Sequence, residues 1–471
     1  MSNLLLKNVR PYGEAPVDVL IENGVIVSIV PAVERSRETP REVETKGASA
    51  TQIAESRDTA TSRSMTNLDD TGVIDGQGQI LLPGLVDLHT HLREPGFEDA
   101  ETVASGSKAA AKGGYTAVFA MANTHPVADT AGVVEQVWRL GQEAGLVDVH
   151  PVGAVTVGLE GKQLAELGAM ANSRAHVRVF SDDGKCVADP VVMRRALEYV
   201  KAFDGVIAQH AQEPSLTRDA QMNEGIVSAQ LGLAGWPAVA EESIIARDVL
   251  LAEHVGSRLH VLHVSTRGSV EIIRWAKQRG IAVTAEVTPH HLALTDELAR
   301  SYDPVFKVNP PLRTLDDVAA LREGLADGTI DTVGTDHAPH PLEAKDCEWA
   351  MASFGMTGLE TALAVVAQAM MHNNSDADQS GYLDWRGIAR VMSEVPAQIG
   401  GIGHEQGRPI AVGEPANLTL VDPDAPYTVD PRTQATASAN TPFKGRELPL
   451  QIKATILRGT PTYLAPPSFC A

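Results

Sequence analysis

From Leu85 onward, short and nearly unbroken apolar runs alternate with amphipathic stretches, the pattern of parallel strands buried on both faces and interleaved with helices. The runs are LVDLHTH from Leu85, TAVFAM from Thr116, VDVHPVGAV from Val147, HVRVFSDD from His176, VIAQH from Val206, RLHVLHV from Arg258, IAVTAEV from Ile281 and DTVGTDH from Asp331. Helical candidates separate them: ETVASGSKAAAKGG from Glu101, PVVMRRALEYVKAF from Pro190, ESIIARDVLLAEHV from Glu242 and SVEIIRWAKQRG from Ser269, the last stopping at Gly280 as a C′ glycine. Eight such runs close a (β/α)8 barrel, expected over residues 83–405.

The flanks carry a different period. VDVLIENGVIVSIV from Val17 alternates apolar and polar residues around Asn23-Gly24, a tight hairpin turn. After Gly413 strand-like text returns in ANLTLVD and IKATILRG. The expected fold class is therefore α/β, a TIM barrel inserted into a small β-sandwich module built from residues 1–82 and 406–471. Residues 34–71 are rich in Ser, Thr, Arg and Glu without apolar periodicity and predict a flexible surface insertion.

Composition changes this picture little. A chain of 471 residues can bury a large core, and an aromatic fraction of 4% leaves that core to aliphatic side chains. The formal charge of −21 argues against nucleic acid or an anionic membrane as partner, but not against an acidic small molecule held at a locally positive site. Cys186, Cys347 and Cys470 are sparse and lack CxxC spacing, which predicts reduced thiols and a cytoplasmic protein. No stretch reads as a secretory leader or a membrane span.

The active face of such a barrel lies at the C-terminal ends of its strands. Run one ends in His89-Thr90-His91, whose two-residue period sends both imidazoles to one side, as zinc or a similar metal requires. Runs four, five, six and eight end in Asp182-Asp183, His210, His263 and Asp336. His125, His150, His176, His254, His372 and His404 read as surface or packing residues, whereas His260, His290 and His291 stay open. Lys185 reads as a solvated loop lysine and Cys186 as an inert buried thiol.

The ordered strings PGLVDLHTHLREPG from Pro83, MANTHPVADT from Met121, FSDDG from Phe180, HVSTRGS from His263, VTPHHL from Val287, VNPPLR from Val308 and GTDHAPH from Gly334 resemble type I dihydroorotases of the amidohydrolase superfamily. The resemblance spans the barrel. It implies interconversion of N-carbamoyl-L-aspartate and dihydroorotate, with two zinc ions per subunit. His89 and His91 would hold one metal, His210 and His263 the other, and Asp183 rather than Asp182 would bridge them, where many amidohydrolases use a carbamylated lysine.

Asp336 would be both ligand and proton shuttle. Arg93, Asn123 and His340 would hold the substrate carboxylate with His91 nearby, and Asn309 would meet the ring. The backbone of Phe354 and Gly355 would close over it, at the end of a loop from His340. The resemblance also implies a homodimer and possible association with aspartate transcarbamoylase. A hydantoinase or allantoinase is the alternative within the enzyme class, separated by Arg93 and the FSDDG bridge. A catalytically silent structural partner of the transcarbamoylase is the alternative outside it.

Overall fold

The computed structural model describes residues 3–32, 71–371 and 383–466. The insertion expected at 34–71, His372 and Cys470 therefore lie outside the described residues, except Thr71, which opens the strand Thr71–Asp75.

Eight parallel strands among the described residues form the barrel: Leu85–Thr90, Tyr115–Ala120, Asp148–Pro151, Val179–Phe180, Val206–Gln209, Leu259–Val261, Val283–Val287 and Thr332–Val333. Three pair as one sheet and five as another. Single parallel bridges, Gly153 to Phe180 and Thr90 to His337, close the two seams. Adjacent residues on one strand divide between two apolar clusters, as the two-residue period demands. Val86, Leu88, Ala117, Phe119, Val206 and Ala208 enter one cluster, stopped by Ala397, Ile399 and Ile402. Leu85, Val118 and Ile207 enter the other, against the helical residues Val134, Leu197, Ile244 and Ile273. Truncating one of these leucines to alanine costs about 2–5 kcal/mol.

Local chemistry starts and stops the helices. Asp189 accepts hydrogen bonds from the Val191 and Val192 amides ahead of Pro190–Val200, and Thr266 accepts from Ser269 ahead of Arg267–Gln278. Gly280, at φ +76, turns the chain out of the latter helix, a conformation open to glycine without steric cost.

The second sheet has eight strands and interlaces both ends of the chain. Its order runs Thr460–Leu464, Gln451–Leu457, Leu418–Asp422, Ile80–Pro83, Asn3–Pro11, Val17–Glu22, Val25–Pro31, with Thr71–Asp75 beside Asn3–Pro11. Asn23 and Gly24, both at positive φ, make the hairpin turn. Its core draws on both halves, including Leu6, Val19, Ile21, Leu81, Leu418 and Ile456.

Two excursions shape the barrel mouth. After the fifth barrel strand, Met222–Asn223 and Gly235–Trp236 pair around the helix Ile226–Leu231. Fully buried Arg313 ties this insertion down by donating to Asn223 Oδ1 at 2.9 Å and to the Trp236 carbonyl at 2.8 Å. Between Asp422 and Leu450 the chain leaves the second sheet and reaches the barrel. There Thr436 donates to Glu101, and the Asn440 amide donates to the carbonyls of Ala338 at 3.0 Å and Gly355 at 3.3 Å.

Candidate metal centre

Side chains from five strand ends meet at one point. His89 and His91 follow one another on the first barrel strand, Asp183 follows the fourth, His210 the fifth, His263 the sixth and Asp336 the eighth. All six are buried. Asp183 is the hub. Its Oδ2 lies 3.5 Å from His89 Nε2 and 3.3 Å from His91 Nε2, and its Oδ1 lies 3.1 Å from His210 Nδ1 and 3.4 Å from His263 Nε2. Asp336 Oδ1 stands 3.1 Å from His91 Nε2 and 3.5 Å from His89 Nε2.

The donor set fits a metal. Two groups, His89–His91–Asp183 and Asp183–His210–His263, each bring three ligand atoms within 4.8 Å of one another. Ligands on a tetrahedral zinc, at about 2.0–2.2 Å from the ion, sit about 3.3 Å apart, the spacing found around Asp183. His89 Nε2 is buried with no hydrogen-bond partner, although its ring is fixed through Nδ1, 2.6 Å from Glu286 Oε1. An imidazole nitrogen held in place and left unsatisfied in the interior marks a position that a bound cation would fill.

Asp182 plays a different part from its neighbour. Its Oδ1 accepts from the Val155 and Thr156 amides at 2.8 and 2.9 Å, and its Oδ2 accepts from the Thr156 hydroxyl, so it pins a loop and faces away from the histidines. Lys185 is exposed, and burial pushes the Cys186 thiol up to about 12, so neither joins the cluster.

Behind the centre lie residues that the pattern of strand ends does not reveal. Glu286, fully buried, accepts from His89 and stands 3.3 Å from His260 Nε2, while His260 Nδ1 meets the Thr284 hydroxyl at 2.9 Å. Burial alone would protonate Glu286, but His89 and His260 hold it down at about 2. Asp87 braces the strand from below by accepting from the His89 amide at 3.1 Å and the Thr335 amide at 3.0 Å. Gln212 Oε1 lies 2.8 Å from His210 Nε2. The signal for Glu286 was available: an acidic residue inside the apolar run IAVTAEV needs a buried partner.

Arg93 lies at the rim. Its Nε donates to the Pro339 carbonyl at 3.1 Å, and its Nη2 is 3.5 Å from His340 Nε2. Burial lowers it to about 10, against the pull of Asp336 and Asp183, so it stays a cation at neutral pH. Burial and then Arg93 push His340 down to about 3, which leaves that imidazole neutral. Among the described residues no acidic side chain comes within ion-pair distance of Arg93. Asn123 Oδ1 meets His91 Nδ1 at 3.0 Å. Asn309 donates from Nδ2 to Gln212 Oε1 at 3.2 Å, and its Oδ1 is buried without a partner.

Arg93, His263 and Asp336 have φ of +63, +30 and +46. Non-glycine residues in that region cost about 1–3 kcal/mol each and persist only where the surroundings hold them.

The loop from His340 to Gly355 is fastened at this rim. His340 Nε2 meets the Phe354 carbonyl at 2.8 Å, and the Gly355 amide donates to the Lys307 carbonyl at 3.0 Å, so both polar groups of the Phe354–Gly355 peptide are engaged within the protein. Lys345 Nζ donates to the carbonyls of Pro304, Lys307 and Ser353, and Lys307 Nζ to that of Trp349. His290 and His291 are buried beside the centre. Burial brings His290 to about 4, and its Nε2 is unpartnered, whereas His291 Nε2 lies 3.1 Å from the Pro310 carbonyl. His125, His176, His254 and His404 are exposed and His150 stacks on Phe119, all away from the cluster.

Residues 78–269 match the family model described as Dihydro-orotase-like. The chain is 63% identical over 465 residues to the dihydroorotase of Streptomyces coelicolor, covering 98% of each. It is 66% identical over 393 residues to the dihydroorotase of Leifsonia xyli subsp. xyli, covering 83% of this chain and 88% of that one. Among solved structures, the L-hydantoinase (dihydropyrimidinase) of Arthrobacter aurescens superposes with a TM-score of 0.78 over 98% of this chain and 96% of the other, at 24% identity, which establishes a shared fold. Identity of this degree over nearly the whole length shows that the chain belongs to the dihydroorotase family.

Proposed function

We propose that the chain is a cyclic amide hydrolase that interconverts N-carbamoyl-L-aspartate and (S)-dihydroorotate with loss or gain of water, in de novo pyrimidine biosynthesis. The observation that carries this reading is a cationic Arg93, unpaired with any described carboxylate, beside a cage in which one aspartate faces four imidazoles.

His89 and His91 would hold one divalent metal, His210 and His263 a second, with Asp183 shared and Asp336 at the first; the neutral-imidazole and carboxylate donors favour zinc. When bound, the metal polarises the ring carbonyl and acidifies water. Asp336 accepts the proton of the attacking water and delivers it to the ring nitrogen as the C–N bond breaks; ring closure runs the same transfers backward. Arg93 pairs in a forked geometry with the substrate carboxylate, helped by Asn123 and neutral His340. Asn309 meets the ring, and the Phe354–Gly355 peptides lie over it. The loop over the mouth keeps water out, which strengthens each of these interactions.

The barrel spanning 83–405 and the module of 1–82 with 406–471 act as one subunit in this reading, which further assigns a cytoplasmic homodimer able to associate with aspartate transcarbamoylase. Among the described residues no helix is long and apolar enough to cross a membrane. The test is a parallel assay of the purified protein on dihydroorotate, hydantoin and allantoin, with metal analysis. Turnover of dihydroorotate far above the other two is expected. Preference for hydantoin or allantoin would replace this reading by the alternative activity.

A further inference from the structure

We propose that Gln212 is a positioning residue that couples the second histidine pair to the substrate pocket through a single carbonyl oxygen. The proposal rests on the reading of the site given above and adds a residue to it.

Gln212 lies two positions after His210, beyond the fifth barrel strand Val206–Gln209. Its amide nitrogen is committed, donating to the Thr217 hydroxyl oxygen at 2.8 Å, and Thr217 in turn donates to the Glu213 carbonyl at 3.1 Å. That anchor turns Gln212 Oε1 toward the site, where it accepts from His210 Nε2 at 2.8 Å and from Asn309 Nδ2 at 3.2 Å. With Asn309 as placed, a flipped amide would set a donor against the Asn309 donor and lose that bond.

Two consequences follow from this one orientation. First, His210 must carry its proton on Nε2. Its Nδ1 lone pair then faces Asp183 Oδ1 and His263 Nε2, which lie 3.1 and 2.9 Å away, so the tautomer is set for a metal. Second, Asn309 must spend its NH2 on Gln212. Its Oδ1, buried and unpartnered, is left as an acceptor for an N–H of the ligand. The ureido nitrogen of the proposed substrates supplies such a donor. An analogue with oxygen or methylene there would leave that acceptor unsatisfied, so Gln212 acts on ligand choice without touching the ligand.

Zinc binding, measured by chelator competition on metal-stripped protein, and KM at saturating zinc test the coupling together. Gln212→Leu is expected to weaken zinc binding about 10- to 100-fold and to raise KM about tenfold, with a smaller change in kcat. Asn309→Leu should raise KM and leave zinc affinity unchanged, and adding it to Gln212→Leu should raise KM little further. Gln212→Glu keeps the shared acceptor and should restore most of the zinc affinity. Should Gln212→Leu not fold, Thr217→Val loosens the anchor alone and should move both quantities in the same direction by less.

Wild-type protein that takes up no zinc would overturn the underlying metal reading. Wild-type protein that binds zinc, with Gln212→Leu or Thr217→Val matching it in both zinc affinity and KM, would overturn the coupling and leave that reading intact.

Discussion

The two histidine pairs face the same aspartate but are built in opposite ways. His89 and His91 come from one strand, two residues apart, and their outer nitrogens meet a buried carboxylate, Glu286, and an amide, Asn123. His210 and His263 come from separate strands, and His210 rests on the neutral Gln212. One half is a local motif with a charged brace; the other is a tertiary assembly with a neutral brace. Equivalent donor geometry is thus reached with unequal electrostatics, so the two halves should answer differently when their supports are changed.

Asp183 is the point where the halves cannot differ, and its removal should have the largest effect. Asp183→Ala is expected to abolish measurable ring opening and to lower metal content at both sites; loss from one half alone would show that the pairs do not share it. Asp336→Asn should come next, with turnover falling by about 10²- to 10⁴-fold, the usual scale of a lost acid–base group, while the fold and metal persist. Near-normal turnover in that variant would take the proton shuttle away from Asp336.

Glu286→Gln makes the first brace neutral like the second and so tests the comparison itself. Metal affinity should fall about 10- to 100-fold at the His89 half and less at the other, where Glu286 meets only the His263 backbone amide at 3.3 Å, read by stepwise chelator titration; an equal fall at both halves would erase the distinction. Arg93→Ala, outside both halves, should have the smallest effect of the series. KM for dihydroorotate is expected to rise with metal content untouched, and an unchanged KM would remove the carboxylate clamp.

The same contrast explains what could be read from the chain. His89 and His91 are visible because strand geometry is local, and His210, His263 and Asp336 because each closes an apolar run. Spacing cannot separate Asp182 from Asp183, since adjacent residues at the end of a two-residue strand differ only in the direction they take afterward. Three donors near Val155 and Thr156 decide it, and those come from a neighbouring strand end. Gln212 carries no sequence signal, because its role exists only where residues 210, 217 and 309 meet. The excursion after Asp422 lacks periodicity for a related reason: its polar residues bond to the barrel instead of forming a face of their own.

That excursion has a consequence for how the molecule is made. Asn440 receives the His340 amide on its side-chain oxygen and donates to Ala338 and Gly355, so the rim next to Arg93 is finished by a residue synthesised a hundred positions later. During translation these bonds cannot form until this stretch has left the ribosome. A prematurely stopped chain that ends before Asn440 would therefore own every proposed ligand and still lack these three bonds at the rim.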